Sequence, residues 1–226
     1  MTLRQTIPLG GAIFDCDGIL VDYEQPWIDL MAAYLDRLGA GGVPAESFRG
    51  LTGAEAAEQL RRVSSEVEAG SGTAPTAAEV DRDYTAALAE VSSPMPGAPE
   101  LVRALSGTVP IAVASNGRGD DVRGLLDRAG LLGFFDAIVT IDDVEQGKPA
   151  PDVYLRAAKK LGLDAATAVA FEDSPVGSQA ATAAGCTVIG INADLQIPLA
   201  AEVRLSDMGQ VRFDAAEHAV IVDPQG

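Results

Sequence analysis

Ala12-Ile13-Phe14-Asp15-Cys16-Asp17-Gly18 sets a short apolar run against two carboxylates two residues apart, with a glycine behind them. On an extended strand, residues i and i+2 face the same side. The run therefore predicts a strand over Ala12–Asp15 whose acids leave the sheet together at its C-terminal end. Open α/β sheets take their ligands at that end. Two carboxylates this close repel unless a cation or a shared proton relieves them. The stretch thus predicts chemistry where a central strand stops.

Outward from it, further apolar runs with β character lie at Pro110–Ser115, Ala137–Thr140, Ala168–Glu172 and Thr187–Ile191. Helical patterns separate them at Ala98–Leu105, Gly119–Ala129, Pro151–Leu161 and Pro175–Ala184. Strands alternating with helices of this length predict an α/β fold, a Rossmann-like layered core on a parallel sheet. The segment from about Ile19 to Pro94 breaks the alternation. Trp27–Leu35, Ala54–Val63 and Ala77–Val91 all carry apolar residues at helical spacing, and no strand is expected among them. Ser71-Gly72-Thr73-Ala74-Pro75-Thr76 reads as a loop, and Ser93-Pro94-Met95-Pro96-Gly97 as a linker. The expected organisation is an α/β core over 1–18 and 95–226 with an all-helical insert over 19–94, rooted beside the acid pair as a lid would be. The chain after Ile191 is ambiguous, with Glu217–Asp223 fitting a last strand or part of a helix.

Composition narrows the partners. The 226 residues carry 33 Asp and Glu against 16 Lys and Arg, a formal charge of −17. Nucleic acid and anionic membranes call for clustered cations, so neither is an expected partner. An anionic substrate would need local positive charge at its site. No apolar run approaches the roughly 18 residues that span a membrane, and no signal-peptide pattern precedes Asp15. The two cysteines, Cys16 and Cys186, sit in apolar contexts read as buried strands. They predict reduced thiols and a cytoplasmic protein, and the acidic surface suits a monomer or a small homo-oligomer.

Three later segments join the first in carrying chemistry. Val113-Ala114-Ser115-Asn116-Gly117 ends a strand before a helix, where a hydroxyl and backbone N–H groups can hold phosphate oxygens. Gly147-Lys148-Pro149-Ala150-Pro151-Asp152 places a lysine just before a helix. The other lysines, Lys159 and Lys160, lie on the amphipathic helix behind it and look solvated. Phe171-Glu172-Asp173-Ser174 is again a strand end bearing carboxylates. Plainer roles compete for some of these residues. Ser115 fits a helix N-cap, and Asn116 either caps the helix or touches a leaving group. Arg49, before Gly50-Leu51-Thr52-Gly53, either meets an anionic group of a substrate or is a surface arginine. Trp27 is expected in the core of the insert, and His218, the lone histidine, outside any site.

Four segments in this order at strand ends, with a helical insert after the first, resemble the haloacid dehalogenase superfamily in its helical-cap branch. Phe14-Asp15-x-Asp17-Gly18-x-Leu20-Val21-Asp22 is similar to the first family motif and Ser115-Asn116 to the second. Gly147-Lys148-Pro149-x-Pro151-Asp152 is similar to the third and Glu172-Asp173-Ser174 to the fourth. The resemblance implies that Asp15 is a phosphoryl-accepting nucleophile and Asp17 a general acid and base. It implies Ser115 and Lys148 as catalytic groups on the phosphoryl oxygens, with Asn116, Gly117 and Arg49 as substrate-binding residues. It implies Mg²⁺ held by the Asp15 carboxylate, the Asp17 main-chain carbonyl and Asp173, with Glu172 in an outer or water-mediated role.

Within that superfamily, Asp17 is the residue dehalogenases and phosphonatases lack, and the cap lysine of phosphonatases has no counterpart before Lys148. A phosphatase or a sugar phosphomutase is left. The segment from Ile19 to Pro94 has 13 acids, 5 arginines, no lysine and no histidine, and Gly53 stands where the mutases place an arginine. This favours hydrolysis of a small phosphorylated metabolite, with similarity to sugar-phosphate and 6-phosphogluconate phosphatases. The alternatives are a β-phosphoglucomutase-like enzyme and, more distantly, a non-catalytic binding protein on the same fold.

Overall fold

The computed structural model describes residues 4–22, 24–49, 51–67, 72–89 and 93–223. Gly50, Ser71 and residues 90–91, which fall in segments discussed above, lie outside them. The chain divides into two compact units, residues 1–21 with 92–226 and residues 22–91.

Among the described residues, the larger unit carries nine strands. They are β1 (Gln5–Pro8), β2 (Gly11–Phe14), β3 (Ile111–Ala114), β4 (Ala137–Val139), β5 (Ala168–Glu172), β6 (Thr187–Ile191), β7 (Val203–Leu205), β8 (Val211–Asp214) and β9 (Ala219–Val222). Six form a wholly parallel sheet in the order β4-β3-β2-β5-β6-β7. Every residue of β2, β3 and β5 is buried, as expected for the centre of a parallel sheet covered on both faces. This fold is α/β and Rossmann-like. From β2 the chain builds outward to β4, then crosses back to lay β5 on the other side of β2. That reversal puts the topological switch point, where open α/β sheets bind ligands, between the C-terminal ends of β2 and β5.

Among the described residues of the smaller unit are three α-helices, α1 (Glu24–Arg37), α2 (Gly53–Glu66) and α3 (Ala77–Ala89). Four more belong to the larger one: α4 (Ala98–Leu105), α5 (Gly119–Arg128), α6 (Asp152–Leu161) and α7 (Pro175–Ala183). Helix α6 packs on β2, β3 and β4, and α7 on β5 and β6. Ile13, Ala112, Val139, Val153, Ala170 and Val188 contribute to the buried layer there. Phe14 and Phe171 stack with centroids 4.7 Å apart, which pins β2 against β5 one residue short of the acids.

In the helical unit, Trp27, Met31, Tyr34, Leu35, Phe48, Leu60 and Val80 make the core. Trp27 is a core residue, its indole N–H donating to the Phe48 carbonyl at 2.8 Å. Helix α2 starts with a reciprocal cap. Thr52 N–H donates to Glu55 Oε2 at 2.8 Å, and Thr52 Oγ1 accepts from Glu55 N–H at 3.3 Å. The same exchange at Thr76 and Glu79 opens α3.

Two expectations need correction. Strand β2 stops at Phe14, so Asp15 and Asp17 are not strand residues and the period of two does not govern them. Instead the chain turns tightly. Leu20 and Val21 N–H both donate to the Cys16 carbonyl, and Gly18 N–H donates to the Val21 carbonyl. Gly18 takes φ +70°, open to a glycine at no steric cost. The cysteines are buried, but Cys16 lies in this turn and Cys186 just before β6, so neither is in a strand. Lys159 and Lys160 are exposed on α6, as expected, and Lys160 pairs with Asp143 at 3.2 Å.

The ambiguous tail resolves into strands. β9 pairs antiparallel with both β1 and β8 to form a second, three-stranded sheet. His218 occupies the β8–β9 turn at φ +47°.

Candidate active site

The ends of β2 and β5 bring together residues far apart in sequence. Asp15 follows β2, with its N–H bound to the Phe171 carbonyl at 3.0 Å. Lys148, from the loop between β4 and α6, extends its ammonium between Asp15 Oδ1 at 2.7 Å and Glu172 Oε1 at 2.6 Å. Its side chain is 4% exposed, and Glu172, the last residue of β5, is fully buried. Glu172 also accepts the Tyr154 hydroxyl at 2.5 Å through the same Oε1. Its Oε2 accepts Asp173 N–H, Ser174 N–H and the Ser174 hydroxyl at 3.2–3.4 Å. Ser174 in turn caps α7 by accepting from Gly177 N–H at 3.1 Å. Every oxygen of this buried carboxylate therefore has a donor, which its burial demands.

The electrostatics show an excess of negative charge. Burial, then Glu172, raises Asp15 well above the ordinary carboxylate range, with Asp17 and Asp173 adding to Glu172 and Lys148 opposing. Asp173 is pushed up to about 7 by burial, then by Glu172 and Asp17. Burial by itself would lower Lys148, but the carboxylates of Asp15 and Glu172 outweigh it and hold the ammonium charged. One ammonium thus leaves two neighbouring acids short of compensation. Carboxylate oxygens of Asp15, Glu172 and Asp173 lie within 4.8 Å of one another. A set of hard oxygen donors short of positive charge suits a hard divalent cation. Both oxygens of Glu172 already have donors, whereas Asp15 meets Lys148 through Oδ1, so Asp15 and Asp173 are the carboxylates better placed to serve one.

Ser115 is fully buried. Its hydroxyl oxygen accepts Gly117 N–H at 2.9 Å, which closes the turn after β3. It is not the cap of α5, whose N-cap is Arg118. Asn116 does not cap that helix either. Its carboxamide bonds both main-chain groups of Lys148, accepting the N–H at 2.8 Å and donating to the carbonyl at 3.2 Å. Arg49 ends a short 3₁₀ turn in the helical unit and is exposed. Tyr154 was not singled out from the sequence. On α6 it sits among Val153, Ala157 and Ala158, an apolar face whose spacing announces core and hides the hydroxyl's partner.

Comparison with known proteins places this arrangement in a family. The family described as haloacid dehalogenase-like hydrolase matches residues 12–191. Hexitol phosphatase A of Escherichia coli (strain K12) is 34% identical over 223 residues, covering 96% of both chains. Validoxylamine A 7'-phosphate phosphatase of Streptomyces hygroscopicus subsp. limoneus is 32% identical over 208 residues, 89% of this chain and 95% of that one. Among solved structures, a HAD family hydrolase from Deinococcus radiodurans R1 with bound phosphate and sodium superposes with a TM-score of 0.73. It is 26% identical, over 89% of this chain and 93% of that one. The chain belongs to the haloacid dehalogenase-like hydrolase family. It is an enzyme of the hydrolase class, and the two curated relatives are phosphatases. Among the described residues, no helix is long and apolar enough to cross a membrane.

Proposed function

We propose that this chain is a Mg²⁺-dependent phosphatase of a small phosphorylated metabolite, a sugar- or polyol-type phosphomonoester. The observation that carries the reading is the Asp15 carboxylate at the switch point, 2.7 Å from a buried ammonium and beside Asp173. Asp15 attacks phosphorus, and the bond from phosphorus to the leaving alkoxide breaks as Asp17 gives that oxygen a proton. An aspartyl-phosphate results. Asp17 then takes a proton from water, whose oxygen attacks the same phosphorus. The phosphorus–Asp15 bond breaks, and inorganic phosphate leaves.

The division of labour needs two carboxylates in different settings. Lys148 and the Ser115 hydroxyl stabilise the equatorial oxygens of the transferring group. Asp15, the Asp17 main-chain carbonyl and Asp173 would hold Mg²⁺, which when bound offsets the charge of the acids and of the phosphate. The relatives' names, hexitol phosphatase and validoxylamine A 7'-phosphate phosphatase, support a polyhydroxylated leaving group. Two buried cysteines kept as thiols suit a reducing, cytoplasmic compartment.

The test is phosphate release from a panel of sugar and polyol monophosphates, with Mg²⁺ and with EDTA, for the wild type and Asp15→Asn. Mg²⁺-dependent release that vanishes in the variant is expected. Full activity in Asp15→Asn would remove Asp15 as nucleophile. Conversion of a sugar 1-phosphate to its 6-phosphate, primed by a bisphosphate and without net release, would mark a mutase instead.

A further inference from the structure

Asn116 stands exposed just past the end of β3, in the segment whose serine is assigned to the phosphoryl group, yet both ends of its carboxamide are bonded to protein. Oδ1 accepts the Lys148 N–H at 2.8 Å and Nδ2 donates to the Lys148 carbonyl at 3.2 Å. The side chain pairs with the lysine's main chain as a neighbouring strand would. Two bonds to one residue fix both its position and its rotation. The far end of that residue is the ammonium between Asp15 and Glu172.

Both sides of this contact are built for it. Asn116 is itself anchored through its neighbours, with Ser115 N–H on the Val139 carbonyl at 3.0 Å and Gly117 N–H on Ser115 Oγ at 2.9 Å. On the other side, a Cβ at Gly147 would stand 2.7 Å from Asn116 Oδ1 and 2.6 Å from Ile141 Cδ1. Only a glycine before Lys148 lets the carboxamide lie flat against the loop. Among residues of this size, asparagine alone supplies one donor and one acceptor at this spacing. Aspartate would supply two acceptors and set one of them against the Lys148 carbonyl.

We infer that Asn116 is a positioning residue for Lys148 and not a ligand of the substrate. It locks the loop between β4 and α6 onto the end of β3, so that the ammonium arrives at Asp15 already placed. The inference rests on the proposed role of Lys148 at the phosphoryl group. It adds that this role is transmitted through a side chain that touches neither substrate nor metal. Misplacement of a catalytic group by about 1 Å costs on the order of 10²-fold in rate.

The test uses full-length Asn116→Asp and Asn116→Ala with two phosphomonoesters of unlike leaving group, p-nitrophenyl phosphate and a hexitol phosphate. Both variants should lose about 10- to 100-fold in kcat by the same factor on both substrates, with KM little changed. A rise in KM confined to the hexitol phosphate would overturn the inference in favour of substrate contact. A lowered melting temperature with unchanged kcat would overturn it in favour of a merely structural role. A second measurement needs no turnover. The chain has three lysines, Lys148, Lys159 and Lys160, so ¹⁵N-lysine labelling gives a readable amide spectrum. The Lys148 amide should shift and lose its protection from exchange in Asn116→Ala. An unmoved, still protected Lys148 amide would sink the inference. A wild type that hydrolyses neither substrate would count against the proposed function and leave the amide measurement to decide the role of Asn116.

Discussion

Replacing Lys148 with methionine removes the one ammonium between Asp15 and Glu172, 2.7 and 2.6 Å away, and leaves a side chain of similar length. At an effective dielectric of about 20, each contact is worth roughly 6 kcal/mol of Coulomb attraction, most of it offset by the desolvation of three charges. What remains when one partner of a buried pair is lost is about 3–5 kcal/mol, because the surviving carboxylates are stranded. The lysine side chain is 4% exposed and Glu172 is fully buried, so water does little to soften this. At roughly 2–4 °C per kcal/mol for a chain of this size, Lys148→Met should melt about 10 °C lower. Its kcat should fall about 10²- to 10³-fold, the cost of deleting a preorganised donor aimed at developing charge.

Phosphate release and thermal melting, read together with the double variant Lys148→Met/Glu172→Gln, separate the two effects. Glu172→Gln removes the stranded charge while its side-chain carbonyl can still accept from Tyr154. The double variant should regain much of the lost stability and none of the lost rate. If Lys148→Met keeps kcat within about a factor of three, the ammonium does not act on the reaction. If the double variant is no more stable than the single, Glu172 is not the charge that Lys148 compensates.

Tyr154→Phe deletes the hydroxyl that reaches Glu172 at 2.5 Å. A hydrogen bond to a charged group is worth about 1.5–3 kcal/mol, and melting should register a loss of that order with the fold intact. Gly18→Ala forces a Cβ onto the Asp173 carboxylate from a backbone at φ +70°. Its half-saturating Mg²⁺ concentration in phosphate release should rise, and an unchanged Mg²⁺ dependence would remove Asp173 from the proposed metal site. The raised acids also give the metal-free protein a pH signature. Asp173 titrates near 3.8 when unfolded and about 7 when folded. Its contribution is therefore complete below about pH 4 and is lost as pH rises through 7, and Asp15 moves the same way. In EDTA the melting temperature should fall between about pH 5 and 8, and Mg²⁺ should restore more at pH 8 than at pH 5. A metal-free protein that gains stability over that window would contradict the charge excess.

What could be read from the chain was what has a one-dimensional signature. Strands β5 and β6 coincide with the runs Ala168–Glu172 and Thr187–Ile191, because strands buried on both faces are continuously apolar and end where polar residues begin. The same contrast flagged Asp15, Ser115 and the Glu172-Asp173 pair, each just where an apolar run gives out. Strand β1 escaped. Gln5, Thr6 and Pro8 are exposed, and its partner is β9, more than two hundred residues away. At the site, Lys148 stood out as the loop lysine, but its partners could not be derived. Asp15 is 133 residues away, and neither spacing nor composition says that Glu172 takes the other face of the ammonium. The supporting residues are harder still. Tyr154 has the spacing of a core residue and is one, and its hydroxyl matters only because α6 brings it to Glu172 at the end of β5. Asn116 was visible as a polar residue at a strand end, and there the signature misdirects. A polar side chain in that place suggests a ligand, whereas its partner is the main chain of a residue 32 positions on. Strand ends therefore announce the charged groups that gather at the switch point. The groups that hold those in place are recruited from helix faces and loop backbones, where identity along the chain carries no trace of the contact.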